Sequence, residues 1–205
     1  CQGMRLEHHP DAQKSRAQYL PLLELAVQEA PQDDRSLHYL GREYLFHQRW
    51  NDCIAALKRH LALPSATWRD ERCASMRYIA RAYAARGNAY EQECYLLRAA
   101  GEAPHLREPW LDLARMYYAR QNWPGVAYAC ERALQIADRP RTYMTEPESF
   151  GALPWDLLSI ACYQLGQYPR AAQAAREALR LAPQDARIAE NVRLMEEKMG
   201  CGVEE

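Results

Sequence analysis

The 205-residue chain has two phenylalanines, nine glycines and few valines, so the residues from which sheets and tight hairpins are built are scarce. It also lacks charge of one sign. Lys and Arg total 26, Asp and Glu total 27, and the net charge is −1. That balance argues against bulk-charge binding to nucleic acid or to a membrane surface. No apolar stretch approaches the roughly 18 residues of a spanning helix, and no charged-then-apolar leader opens the chain. The seven cysteines (Cys1, Cys53, Cys73, Cys94, Cys130, Cys162 and Cys201) are odd in number and widely spaced, with no C-x-x-C pair. They form neither a disulfide framework nor a zinc ligand set. Most fall among helical apolar positions, where Cys acts as a small hydrophobe. A reducing cytoplasm is the expected setting, although a Cys at position 1 also matches the acylated end of a mature lipoprotein.

Recognisable chemistry is missing too. The sequence holds no Gly-rich phosphate loop, no G-x-S-x-G and no H-E-x-x-H. Its histidines are His8, His9, His38, His47, His60 and His105, and only the adjacent first two stand close together. No catalytic residue, cofactor or metal is expected of this chain.

What is present is helical. Apolar residues make up 48%, Ala and Leu dominate, and they recur at i, i+3, i+4 and i+7. The stretch "PWLDLARMYYARQNWPGVAYACERALQIA" from Pro109 aligns without a gap to "PWDLLSIACYQLGQYPRAAQAAREALRLA" from Pro154. Trp110 meets Trp155, Leu113 meets Leu158, and Trp123-Pro124 meets Tyr168-Pro169. Earlier copies supply Leu40, Gly41, Tyr44, Trp50 and Leu57, then Ile79, Ala80, Tyr83, Gly87 and Ala99. The copies start near Asp34, Cys73, Arg107 and Ala152, in steps of 39, 34 and 45 residues. A 34-residue unit is thus extended near "PSATWRD" and again near "DRPRTYMTEPESFG".

This pattern resembles the tetratricopeptide repeat (TPR). The resemblance implies an all-α, right-handed solenoid of antiparallel helix pairs. Repeats fall at about 34–67, 73–106, 107–137 and 152–185, within a single domain over 13–200. Residues 1–12 form a flexible lead, "SRAQYLPLLELAVQEAP" an extra N-terminal helix, and 186–199 a capping helix. In the cap, Ile188, Val192, Leu194 and Met195 are expected to cover the last repeat. Small residues (Gly41, Ala80, Ala114, Ser159) let paired helices approach, and stacking supplies the core that one unit lacks. Pro109, Pro124, Pro154 and Pro169 suit first turns, where a missing N–H costs little. Asn51 and Asn122 are placed to cap second helices.

In a TPR array the first helices line a concave surface. The groove positions here read His38, Arg42, Arg77, Arg81, Arg115, Tyr118 and Asp156. Arg42, Arg81 and Arg115 occupy one equivalent position in successive repeats. Their planar forks suit carboxylate or phosphate, so one expectation is an acidic segment in the groove, with Tyr118 as an apolar wall. The alternative is internal pairing with Glu43, Glu108 or Asp112, of little value per pair. The carboxylate clamp of chaperone-binding TPR domains is not matched. Glu108 and Asp112 stand where that clamp needs cations.

The repeats and spacers together are similar to something narrower. "KSRAQYLPLLELAVQEAPQDDRSLHYLGREYL", "WRDERCASMRYIARAY", "REPWLDLARMYY" and "RPRTYMTEPESFGALPWDLLSIACYQLG" resemble the C-terminal region of bacterial and phage family-2-type glycosyltransferases. The resemblance implies an upstream nucleotide-sugar domain with an Asp-x-Asp metal motif. No Asp-x-Asp occurs in this sequence. "RLEHHP" then corresponds to the hand-over between domains, with His8 and His9 exposed and mobile. The implied role is protein interaction or oligomerisation by a non-catalytic tail. The alternatives are a free-standing adaptor with an Arg-lined groove, and an acceptor-positioning part of a glycosyltransferase. The expected partner is a protein or peptide of acidic character, or a second copy in a homo-oligomer, and neither nucleic acid nor membrane.

Overall fold

The protein is described by a computed structural model covering residues 18–201. His8, His9 and the lead lie outside the described residues. Ten α-helices and one 3-10 turn, Pro147–Phe150, make up the regular structure among the described residues, and no strand occurs among them. A lone helix α1 (Tyr19–Glu29) precedes four antiparallel pairs: α2 (Asp34–Phe46) with α3 (Trp50–Ala62), α4 (Arg69–Ala85) with α5 (Ala89–Glu102), α6 (Glu108–Ala119) with α7 (Trp123–Leu134), and α8 (Leu153–Gln164) with α9 (Tyr168–Leu181). The final helix α10 (Ala186–Cys201) packs on α9. The first helices α2, α4, α6 and α8 also neighbour one another, forming one layer of the solenoid.

The turn inside each pair repeats the same geometry. Gln48, Gly87, Gln121 and Gly166 all take the left-handed backbone conformation, with φ of 57°, 72°, 55° and 71°. Their spacing is the same 39, 34 and 45 residues as the repeat starts. The N–H of the following residue (Arg49, Asn88, Asn122, Gln167) bonds back to the carbonyl of Tyr44, Tyr83, Tyr117 or Cys162, at 2.9 Å in all four. This closes the helix C-terminus and points the chain straight into the second helix. Asn122 and Asn88 then cap α7 and α5, accepting from Gly125 N and Glu91 N at 3.1 Å. Asn51 does not cap α3, which starts at Trp50 with Arg49 before it. The prolines expected in first turns are found there in α6, α7, α8 and α9.

Close helix approach follows from the small residues. A Cβ on Gly41 would fall 2.3 Å from Leu57 Cγ, so only glycine lets α3 sit this near α2. One continuous core runs from Cys53 to Met195, with Ile79, Leu113, Val126, Cys162 and Ala175 within it. Burial pushes the thiols of Cys53, Cys73 and Cys130 up to about 12, so these are packing residues rather than nucleophiles.

Two further expectations need correction. Helix α4 starts at Arg69, a turn before Cys73. Asp70 and Glu71 occupy its first turn, where acidic groups complement the helix dipole. Ile188 and Met195 of α10 are buried as expected, but Leu194 is 42% exposed, because the helix turns that side to solvent.

Candidate functional site: an arginine stripe and the insert that meets it

The stripe lies on the first-helix layer, and its members differ sharply in exposure. The side chains of Arg81 and Arg115 are about two-fifths exposed, and that of Arg42 less so. Arg42 stacks over the Tyr39 ring at 4.8 Å and approaches Glu43 at 3.9 Å. Tyr118 is exposed at the edge, with its ring against Trp123 at 5.5 Å.

Three groove assignments are overturned by burial. Arg77 is only 4% exposed, and Nε donates to Asp112 Oδ2 at 2.6 Å while Nη2 donates to Glu146 Oε1 at 2.8 Å. Asp156 is also buried, gripped by Arg187 of α10 through two bonds of 3.1 and 2.8 Å. His38 has no exposed surface. All three sit at the fifth position of the repeat, where neighbouring helices of the layer meet, so their side chains enter the junction rather than the groove.

Asp112 is the electrostatic centre. It lies 2.6 Å from Arg77, 3.5 Å from Arg81 and 3.6 Å from Arg115. Burial alone would raise its pKa. The charges of Arg77 and Arg81, the Arg77 hydrogen bond and the Arg115 charge outweigh that and hold the carboxyl below its ordinary value.

The remaining counter-charges come from the long segment between α7 and α8. It runs back over the layer and puts Glu146 against Arg77 and Arg81 (2.8 and 3.4 Å) and Glu148 against Arg115. Glu108, expected to pair with an arginine, instead accepts the Glu146 backbone N–H at 3.0 Å. Arg107 anchors the segment's two ends by donating to Ile136 O at 2.7 Å and Ser149 O at 3.2 Å. Further along, Tyr143 donates to Glu71 Oε2 at 3.1 Å and stacks edge-on to Trp68 at 5.6 Å. An acidic segment over the stripe and internal pairing of its arginines are the two arrangements the repeat positions allow. The geometry combines them, because the acidic segment belongs to the chain itself. Beyond the segment, Tyr118, Ile160, Tyr163, Arg187, Leu194 and Met195 line an uncovered cleft between α6, α8 and α10.

These features define a helical-repeat solenoid of the tetratricopeptide kind. A tetratricopeptide repeat family model matches residues 152–185, the fourth pair. Solved structures with this fold include MamA, at 15% identity and a TM-score of 0.64, covering 82% of this chain and 89% of that one. The thermophilic TPR protein TTC0263 of Thermus thermophilus is similar at 19% identity and a TM-score of 0.55, covering 86% and 88%. A subunit of the APC/C hetero-tetramer Cut9-Hcn1 matches at 14% identity and a TM-score of 0.62, over 90% of this chain and 33% of that one. At these identities the likeness is one of fold. No curated protein matches the chain.

Proposed function

We propose that the chain is a protein-interaction module whose first-helix layer holds acidic peptide segments. The observation that carries this is the seating of Glu146 and Glu148 on Arg77, Arg81 and Arg115. A surface that takes two glutamates of its own chain has the charge and spacing to take those of a partner. The resident segment is then a competitor that a partner displaces, and Arg81 and Arg115 are the accessible contacts. The open cleft beside Tyr118 and Tyr163 extends the same surface and suits an apolar side chain following the acidic pair. A second copy of the chain offering its own segment would give self-association by the same contacts.

A labelled peptide of the sequence RTYMTEPESF (residues 141–150) tests this. Fluorescence anisotropy is measured on the Glu146→Gln/Glu148→Gln chain, whose resident segment is weakened. Saturable binding that falls with added salt is expected, and Arg81→Ala/Arg115→Ala should abolish it. An unchanged anisotropy at high protein concentration would refute the reading.

The finer proposal, a non-catalytic C-terminal part of a glycosyltransferase-like protein, is supported by the sequence resemblance alone. The reading frame upstream of Cys1 tests it. A nucleotide-sugar domain with Asp-x-Asp is the expected finding, and a start codon a few residues upstream would remove this context.

A further inference from the structure

Where the first two repeats join, three helices bring together side chains that lie far apart in the sequence. His38 comes from α2, His60 from the last turn of α3, and Glu71 and Ser75 from the first two turns of α4. Both imidazoles are fully buried and Glu71 is 7% exposed. The Ser75 hydroxyl lies between the rings, 2.8 Å from His38 Nδ1 and 3.0 Å from His60 Nδ1. On the opposite edges, Nε2 of each ring is buried with no hydrogen-bond partner. An unsatisfied buried polar atom is destabilising, so two in contacting residues call for an explanation. His60 Nε2 is 3.4 Å from Glu71 Oε1, near the carboxylate but not hydrogen-bonded to it. Ligating atoms of His38, His60 and Glu71, one from each, all lie within 4.8 Å of one another.

We infer that His38, His60 and Glu71 bind a divalent transition-metal cation, with Zn²⁺ the best match to two imidazoles and a carboxylate. Bonds of about 2.0–2.1 Å in a tetrahedron place ligands roughly 3.3–3.4 Å apart. The His60–Glu71 pair already has that spacing, and a shift of the His38 ring closes the third side. The supporting shell is in place. A hydroxyl has two lone pairs, so Ser75 Oγ can accept Nδ1–H from both rings at once, leaving both Nε2 atoms as donors. Tyr143 holds the second Glu71 oxygen by its hydroxyl at 3.1 Å. Three protein ligands leave one position for water.

The ion would clamp α2, α3 and α4 and, through Tyr143, brace the inserted segment.

The test uses the full chain, dialysed against chelator and titrated with Zn²⁺ alone. Cys1, His8, His9 and Cys201 are replaced by Ser or Gln to remove other donors. Long-range ¹H–¹⁵N spectra of the imidazoles accompany the calorimetry. One ion per chain is expected, with ring nitrogens of His38 and His60 shifted. His60→Gln should abolish binding, and Ser75→Ala should weaken it about 10–100-fold. Absence of binding, or binding that leaves both rings unshifted, would overturn the assignment. The spectra of the chain with His60 intact decide the question even if His60→Gln fails to fold.

Discussion

Replacing Arg77 with methionine removes the cation at the centre of the stripe and leaves Asp112 behind in a nearly dry junction. The Arg77 and Asp112 side chains are 5% and 9% exposed. Breaking such a pair by removing one member costs about 3–5 kcal/mol. Here the lower end applies, because Arg81 and Arg115 still face Asp112 at 3.5 and 3.6 Å. With a urea m-value of about 2 kcal/mol/M, a loss of ~3 kcal/mol moves the unfolding midpoint down by about 1.5 M. The informative comparison is the double variant Arg77→Met/Asp112→Leu. It removes both charges and fills the space with hydrocarbon, which is often neutral or stabilising for a buried pair. It should recover most of the loss, giving a coupling energy of about 2–3 kcal/mol in a double-mutant cycle. Far-UV circular dichroism and tryptophan fluorescence, followed together through the urea transition, supply the midpoints. If the double variant is as unstable as Arg77→Met alone, the loss is one of packing. The claim that Arg77 chiefly neutralises a buried carboxylate would then be wrong.

Two further predictions concern the first repeats. Gly41→Ala should destabilise by about 1–3 kcal/mol, because its methyl meets Leu57, which is fully buried. Gly101→Ala in α5, where nothing lies within 4 Å of the new Cβ, should instead gain roughly 0.5–1 kcal/mol of helix propensity; equal thermal shifts in the two would refute the close-approach argument. The second prediction is a pH dependence in chelator. The His38 pKa falls from 6.5 to about 4 on folding, so between those values the unfolded chain binds the extra proton. Stability contributed by neutral His38 is therefore full above about pH 6.5 and is lost as pH falls toward 4, by on the order of 2–4 kcal/mol. Urea midpoints across this range should fall in the unsubstituted chain and flatten in His38→Gln.

The repeat frame was legible in the sequence because it is a local property. Trp110 and Trp155, the paired prolines and the small residues recur at fixed spacing, and each records a neighbour within the same helix pair. The left-handed turns at Gln48, Gly87, Gln121 and Gly166 follow that frame, although two of them lack the glycine that would have marked them. Asn51 and Asn122 both stand beside the Trp that opens a second helix, but Asn51 follows its Trp and Asn122 precedes it, so of the two only Asn122 caps.

The site was only half legible. The sequence by itself determined an arginine at one position of three successive repeats, and so an acidic complement. The tertiary structure decided which carboxylates supply it. Arg77 meets Glu146 across 69 residues, a contact that no periodicity encodes, because the inserted segment has no counterpart in the other repeats. In the sequence His38 stands among the groove positions, His60 is only one of six scattered histidines, and Glu71 carries no assigned role. Their distances within each helix carry no metal-ligand spacing. Only the stacking of the second repeat on the first, which turns position five into the junction, sets them around one point.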